Sequence, residues 1–550
     1  ASPQQGKRVQ YKRDLQGRVI QRILPNGATT SYEFATDGSL DRLDHDGYKL
    51  ELTRDKLGRE IKRAGSGGAN IVSAYDELDR LTARAAGPLG ATTPTARRAY
   101  TYDKAGRVKE VHDDRWGHSM YFYDPAGRLL ESRQFRLMET FLHDPASSII
   151  EYVTQTNDGD VAAISVFTRP AQRLKAEYGK GGRLLKKREW SFEYDARGRR
   201  VAKVRTLAGV EERTEYEWDG RDKLRTVRKP DGTRLDYSYD VFGRRVSKTR
   251  SGGPLDEKRV EFLWDGEVLA WELDSERGPR AFVHEPGGFE PILQQQGGET
   301  YLCVNDHLGM PKELIDGGGH LAWAAAHSAY GAVIATEGPG EVEVDGGFVS
   351  GGPRVESPFR LLGQVHDEDA ELLWTRFRCF DADTGTWIST DPLGLLGGTQ
   401  TYGFDGPPSD VVDPLGLSTS GGQHHYDSKV GRYRAPSGRF VAAKDLPWPS
   451  NSGFATRGRG VVPKNAVVNR IGPRKGRFAS EGGTTVSERG LPPGSEALPF
   501  ETYRATRDIP ADVGTAGPVP EFGASGGARQ YLFDKPVQEL IDDGSLEVIP

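Results

Sequence analysis

The chain of 550 residues has two cysteines, Cys303 and Cys379, only three methionines, and no histidine after His425. Two thiols build neither a disulfide framework nor a four-thiolate zinc site, so a reducing cytoplasm is the expected place of synthesis. No window approaches eighteen apolar residues, which leaves nothing expected to span a membrane. The opening ASPQQGKRVQYKRD is polar, shows no signal peptide and already stands inside a repeat. It is read as an internal piece of a longer chain, or as one exported by another route. Apolar residues reach only 36%, and a net charge of -5 is too small to argue for nucleic acid or a membrane surface as partner of the whole chain. Glycine is abundant, at 69 residues, and the balance favours many short strands and turns over long helices.

What is present is repetition. YKRDLQGRV from Tyr11, LTRDKLGRE from Leu52, YTYDKAGRV from Tyr100, YFYDPAGRL from Tyr121, FEYDARGRR from Phe192 and YSYDVFGRR from Tyr237 share one pattern, aromatic-x-Tyr/Arg-Asp-x-x-Gly-Arg. Tyr75-Asp76, Trp218-Asp219 and Trp264-Asp265 are degenerate copies. Each unit fits two short strands, with Asp-x-x-Gly-Arg as the turn and Gly at the left-handed position. One hairpin cannot bury its aromatic face alone, so neighbours must stack into a continuous sheet.

The series ends at DPLGLLGGTQTYGFDGPPSDVVDPLGL, where Asp-Pro-Leu-Gly-Leu occurs at Asp391 to Leu395 and again at Asp413 to Leu417. A non-repetitive tail of different composition follows, which marks a processing boundary. Two carboxylates close enough to share one proton hydrolyse peptide bonds, one polarising the carbonyl and the other activating water.

The repeats resemble those of the rearrangement-hotspot (RHS) family. The stretches NDHLGMPKELIDGGGHLAWAAAHSAY (305–330), FRLLGQ (359–364) and RFRCFDADTGTWISTD (376–391) are similar to its core module. The resemblance implies a mainly β fold, a Tyr-Asp-repeat β-sheet spiral that forms a hollow shell, plugged by a core module that cuts its own chain. It implies repeats over 1–300, an autoproteolytic core over 301–417 and a linker over 418–460. Asp391 and Asp413 are then catalytic, Arg378 orients one of them, and the cut falls between Leu417 and Ser418. His307 reads as a structural hydrogen-bonding residue, and His424-His425 as a solvated loop.

The tail carries its own ordered motifs: Val468-Asn469-Arg470-Ile471-Gly472, Gly476-Arg477-Phe478-Ala479-Ser480, Glu488-Arg489-Gly490-Leu491-Pro492-Pro493, Tyr503-Arg504 and Phe522 to Tyr531. They are similar to the tuberculosis-necrotizing-toxin family of NAD glycohydrolases, over about 461–550. This implies a small α+β domain distantly like ADP-ribosyltransferases, with NAD as substrate and neither cofactor nor metal. Arg470 and Arg489 suit the pyrophosphate, Phe478 a ring, and the Gly-rich turn with Gly526 a close backbone approach; Gln530 aims at ribose or water. The family's histidine would fall near Phe500 to Thr502, where Glu501 is the candidate replacement. The whole is read as a toxin carrier made in a bacterial cytoplasm and delivered into a target cell. It implies an immunity protein, with a secretion spike and chaperone upstream. Rival readings are a nuclease tail built on the basic stretch from Lys429 to Arg477, an ADP-ribosyltransferase, and a structural or adhesive repeat protein with an inert tail.

Overall fold

A computed structural model describes residues 8–156 except 37, 171–338, 355–394, 400–417 except 405, and 454–549 except 493, 494, 496, 497, 518 and 520–525; within 341–350 and 425–441 it describes only the backbone of short strands. The chain divides into two compact units, Ala1–Gly421 and Gly422–Pro550.

In the first unit a sheet of thirty strands runs from Gln10–Arg13 to Val333–Glu337, each strand pairing antiparallel with the next in sequence. The repeat motif explains each hairpin. Asp55 Oδ1 accepts the N–H groups of Leu57 (2.9 Å) and Arg59 (3.0 Å), while Arg59 Nε donates to Oδ2 at 2.7 Å. The same three bonds recur at Asp195 and Asp240. Gly58, Gly106, Gly198 and Gly243 sit at φ of +78 to +86°, where a Cβ is disfavoured. In the degenerate copies Asp79 and Asp222 take that conformation instead, as short polar residues tolerate.

Where an aromatic residue stands before the Asp, it ties a unit to its predecessor. Tyr102 donates its hydroxyl to Leu81 O at 2.7 Å and Tyr239 to Leu224 O at 2.6 Å. Trp218 and Trp264 make the same bond through Nε1, to Arg200 O and Arg245 O, both at 2.7 Å, so a Trp-Asp copy preserves the donor. The motif arginine points the other way. Arg59, Arg128 and Arg199 donate to the carbonyls of Asp76, Asp144 and Asp219 in the following turn, and Arg80 and Arg107 lie 4.5 and 4.4 Å over the rings of Tyr102 and Tyr123.

The meander coils until its early strands meet its late ones. Ala69 N–H donates to Gly317 O at 3.0 Å, Tyr48 hydroxyl reaches the same carbonyl, and buried Arg98 grips Glu313 at 2.6 and 2.8 Å. One buried cluster joins Leu43, Leu50 and Ile71 to Val283, Leu293 and Ile315. This is the mainly β, spirally wound sheet that the repeats predict.

Against it lies a four-stranded antiparallel sheet, Val365–Asp367, Leu372–Trp374, Cys379–Asp381 and Thr386–Trp387. Trp374 packs on Tyr237 and Tyr239, and buried ion pairs join Arg200 to Asp381 and Arg245 and Lys248 to Asp367. Removing one partner of such a pair strands a buried charge and costs about 3–5 kcal/mol, so this module has one seat on the large sheet.

The second unit contains a seven-stranded antiparallel sheet with spatial order Phe454–Val462, Ile509–Ala516, Arg529–Phe533, Phe478–Glu481, Val467–Ile471, Phe500–Ala505, Leu546–Ile549. One face holds the core, with Val468, Tyr503, Ala479, Tyr531 and Ala511 under the helix Val537–Asp542. Among the described residues the unit is far richer in strand than an α+β reading suggests. Of the expected linker 418–460, residues 454–460 instead belong to the edge strand Phe454–Val462, where backbone pairing with Ile509–Ala516 holds them; residues 418–424, with His424, and most of the Gly-rich turn lie outside the described residues.

Candidate functional site

The two Asp-Pro-Leu-Gly-Leu copies converge on one side chain. Arg378 Nη2 lies 2.8 Å from Asp391 Oδ2 and 3.0 Å from Asp413 Oδ2, so the two carboxylates flank a single nitrogen. All three side chains are buried, at 0%, 1% and 2% exposure. The guanidinium stacks 4.3 Å from the ring centroid of Trp387, a residue of the small sheet. Burial pushes Asp391 above the usual carboxylate value, with Arg378 and the Leu393 N–H pulling the other way. Burial likewise lowers Arg378, against the attraction of Asp413 and Asp391. The site therefore opposes charge on both sides, the setting in which a carboxyl keeps a proton.

Both copies make the same turn: Gly394 N–H donates to Asp391 O at 2.9 Å and Gly416 N–H to Asp413 O at 3.3 Å, with both glycines at positive φ, +56° and +73°. Asp391 Oδ1 also accepts from the Leu393 N–H at 2.7 Å, and Asp413 Oδ1 from the Leu417 N–H at 2.9 Å. The second copy is also gripped from outside. Arg378 Nε donates to Gly416 O at 2.5 Å and Phe377 N–H to Leu415 O at 3.0 Å. Gly416 has φ +73°, and a Cβ there would fall 2.3 Å from Thr375 Oγ1. Gly363 of the FRLLGQ motif presses on Pro414 in the same way, its hypothetical Cβ 2.5 Å from Pro414 Cα. His307 donates through Nε2 to Ser409 O, 2.8 Å away, holding the segment between the copies. Ser418, on the far side of the expected cut, is outside the described residues. Trp387, Thr375 and Gly363 were not singled out from sequence; Trp387 and Gly363 belong to the core-module motifs, and Thr375 stands just before one of them.

In the second unit, strand alternation sorts the candidate residues. Register places Thr502, Asn469, Ser480, Gln530 and Gly514 in one row across five strands, on the face opposite the core. Asn469, Ser480 and Gln530 are 4%, 6% and 6% exposed. Arg489 closes over the row, donating Nη2 to Asn469 Oδ1 at 2.5 Å and Nε to Thr484 O at 3.1 Å. Phe478, two residues before Ser480, and Phe500, two before Thr502, share this face; Arg489 lies 5.9 Å from the Phe500 ring centroid. Gly526, from the end of the Gly-rich turn, donates its N–H to Ser487 O, tying that turn to the segment that carries Arg489.

Arg470 and Glu501 stand apart. They oppose each other in register and alternate to the core side of the sheet. Arg470 donates to Pro473 O at 2.9 Å and Phe478 O at 2.7 Å, so it shapes the loop that carries Phe478. Glu501 is held by Arg474, Nε at 2.7 Å and Nη2 at 2.8 Å, and by Tyr503 hydroxyl at 2.6 Å. Those bonds lower its carboxyl to about 2. The structure thus gathers Phe478, Arg489 and Gln530, adds Asn469, Ser480 and Phe500, and sends Glu501 to the other face. The alternation from Phe478 to Ser480 was visible in the sequence once that stretch is taken as a strand.

Residues 461–549 match the family described as Tuberculosis necrotizing toxin, 301–337 the RHS protein family and 218–254 the RHS repeat. The chain is 28% identical over 512 residues to the "Double-stranded DNA deaminase toxin A" of Burkholderia cenocepacia, covering 86% of this chain and 34% of that protein. It is 30% identical over 411 residues to the "Probable deoxyribonuclease RhsB" of Dickeya dadantii, covering 71% and 26%. The chain thus spans about a third or less of these relatives. A crystal structure of TcdB2-TccC3-Cdc42 superposes with a TM-score of 0.60 at 15% identity, covering 75% of this chain and 22% of that one, which is a likeness of fold. The repeat chemistry, the core module and the tail motifs lead to one assignment: the chain belongs to the RHS family of polymorphic toxins and carries a tuberculosis-necrotizing-toxin domain at its C-terminal end.

Proposed function

We propose that this chain is the toxin-bearing part of a secreted effector, that it cuts itself after Leu417, and that the tail hydrolyses NAD or NADP to nicotinamide and ADP-ribose. For the cut, Asp391 serves as the protonated partner and Asp413, aligned with Arg378, as the carboxylate that activates water. Arg378 and Asp413 hold Gly416 O and the Leu417 N–H, which fixes the chain immediately before the bond to be broken.

The observation that carries the NAD reading is the buried row Asn469, Ser480 and Gln530 under Arg489, inside a segment that matches a toxin family. Arg489 offers a forked cation for phosphate, Phe478 and Phe500 offer ring faces, and Gln530 supplies an amide to ribose or to the attacking water. Nothing in this reading needs a cofactor or a metal. The tail would endanger the producing cell, so the reading includes an immunity protein that covers this face, and a spike and chaperone that carry the chain out. The names of two relatives keep a nucleic-acid-directed tail as the second reading. The test is to incubate the purified chain with NAD and with NADP and assay free nicotinamide. Release of nicotinamide that is lost in Gln530→Ala supports the proposal; intact NAD with degraded or deaminated DNA overturns it.

A further inference from the structure

Another cluster of chemistry-bearing side chains, which belongs to neither site, stands on the hairpin of Val108–Asp113 and Gly117–Tyr123. His112 stands directly opposite His118, and Glu110 is two residues before His112, so all three project from one face of the sheet. The register is pinned at the turn, where Asp113 Oδ1 accepts from the N–H groups of Arg115 (2.8 Å) and Trp116 (3.0 Å). The imidazoles stack in parallel, ring centroids 4.2 Å apart and planes 9° from each other. Glu110 Oε2 lies 3.7 Å from His112 Nε2 and 3.5 Å from His118 Nε2. His118 Nε2 is buried and makes no hydrogen bond. The three ligand atoms lie within 4.8 Å of one another.

A tetrahedral zinc ion with bonds of about 2.0–2.1 Å needs donor atoms about 3.3–3.4 Å apart. Two of the three separations meet that with shifts of a few tenths of an ångström; for the third, which is within 4.8 Å, the exposed His112 ring must turn out of the stack so that its in-plane lone pair converges with that of His118. Two imidazoles and one carboxylate form a borderline donor set, suited to zinc and its late first-row neighbours and poor for calcium or magnesium. Lys109 Nζ sits 2.8 Å from the other carboxylate oxygen, Oε1. It keeps Glu110 ionised and leaves Oε2 facing the imidazoles, while its positive charge works against a very tight site. We propose that Glu110, His112 and His118 bind one zinc ion, with water in the fourth position, as a clip across two neighbouring strands of the repeat sheet. Bound to the folded hairpin alone, the ion would add stability by mass action.

The test is calorimetric titration of the chelator-treated full chain with zinc chloride, repeated on Glu110→Gln and on the double variant His112→Asn/His118→Asn. These side chains are on an accessible face, and unchanged circular dichroism without metal confirms folding. The wild type is expected to bind one ion in the micromolar range and to gain Tm with zinc. Glu110→Gln should weaken binding at least about tenfold, the loss that even outer-shell partners cause. The double variant should lose both the binding and the Tm gain. Cobalt substitution should give the absorption of a tetrahedral site in the wild type alone. Zinc binding undiminished in the double variant would place the ion elsewhere, and no uptake by the wild type would leave a carboxylate-bridged histidine pair; either result overturns the proposal.

Discussion

The backbone N–H of Leu417 donates to Asp413 Oδ1 at 2.9 Å, so the residue expected to end the first piece is held by one of the two carboxylates expected to release it. Ground-state positioning of this kind turns a slow bimolecular hydrolysis into an intramolecular one.

Asp391→Asn and Asp413→Asn are each expected to leave a single full-length band on a denaturing gel, where the unmodified chain gives two pieces with the new terminus at Ser418. Two pieces from both variants would remove the dyad from the mechanism.

Self-cleavage should slow as pH rises. Burial raises Asp391 above the usual carboxylate value, so its proton is held to a higher pH than that of an ordinary carboxyl and is lost as pH climbs through the raised value. The rate of fragment appearance after refolding, followed from mildly acidic to mildly alkaline buffer, checks the sign; a rate that increases across that range would assign the acid to another group.

Gly416→Ala is expected to abolish the cut although it removes no charged group. The new methyl would need the space of Thr375 Oγ1 and a left-handed backbone, a combined strain of about 1–3 kcal/mol or more at a residue whose carbonyl Arg378 holds. Conservation of overall melting behaviour alongside loss of cleavage would confirm a local effect.

In the tail, Gln530→Ala should lower kcat for NAD about 100-fold with little change in KM, the scale of losing one positioned hydrogen-bonding group. Glu501→Gln should leave turnover within a few-fold, since Glu501 alternates to the other face and is committed to Arg474 and Tyr503. Its stabilising contribution, discounted for partial exposure, is at most about 1 kcal/mol. That contribution is present above the ordinary carboxylate range and is lost as pH falls towards about 2. A collapse of kcat in Glu501→Gln would instead make it the stand-in for histidine.

Asp195→Ala should open its hairpin locally, at a cost of about 1–2 kcal/mol for two lost backbone caps and one charged partner. Burial alone would raise Asp195, but the Arg199 and backbone bonds hold it below its ordinary value. The clamp is therefore present above that value and lost as pH falls below it. Hydrogen exchange at the Arg197 and Arg199 amides reports the opening directly.

Local chemistry was the legible part. The turn built by Asp-x-x-Gly-Arg depends on five consecutive residues, and its spacing states the hairpin outright. The doubled Asp-Pro-Leu-Gly-Leu marked both carboxylates, and Arg378 was reachable through the core-module motif. What stayed hidden depends on pairing between distant segments. The two identical copies are gripped by different partners, Thr401 in one case and Arg378 with Phe377 in the other. Glu501 seemed suited to the ligand because it replaces a family position, yet a single step along a strand moves a side chain to the opposite face. Only the register with Arg470 reveals which face that is.

The arginine that leans from each turn onto the next has a consequence for how such chains change length. Every clamp, from Arg59 to Asp76 or from Arg199 to Asp219, reads only the adjoining unit. A unit inserted or deleted between two others meets the same donor behind it and the same carbonyl ahead, so the clamps re-form, and only bonds between distant parts of the coil, such as Arg98 to Glu313, need new partners. Genetic duplication can therefore lengthen or shorten the sheet by whole courses, like masonry.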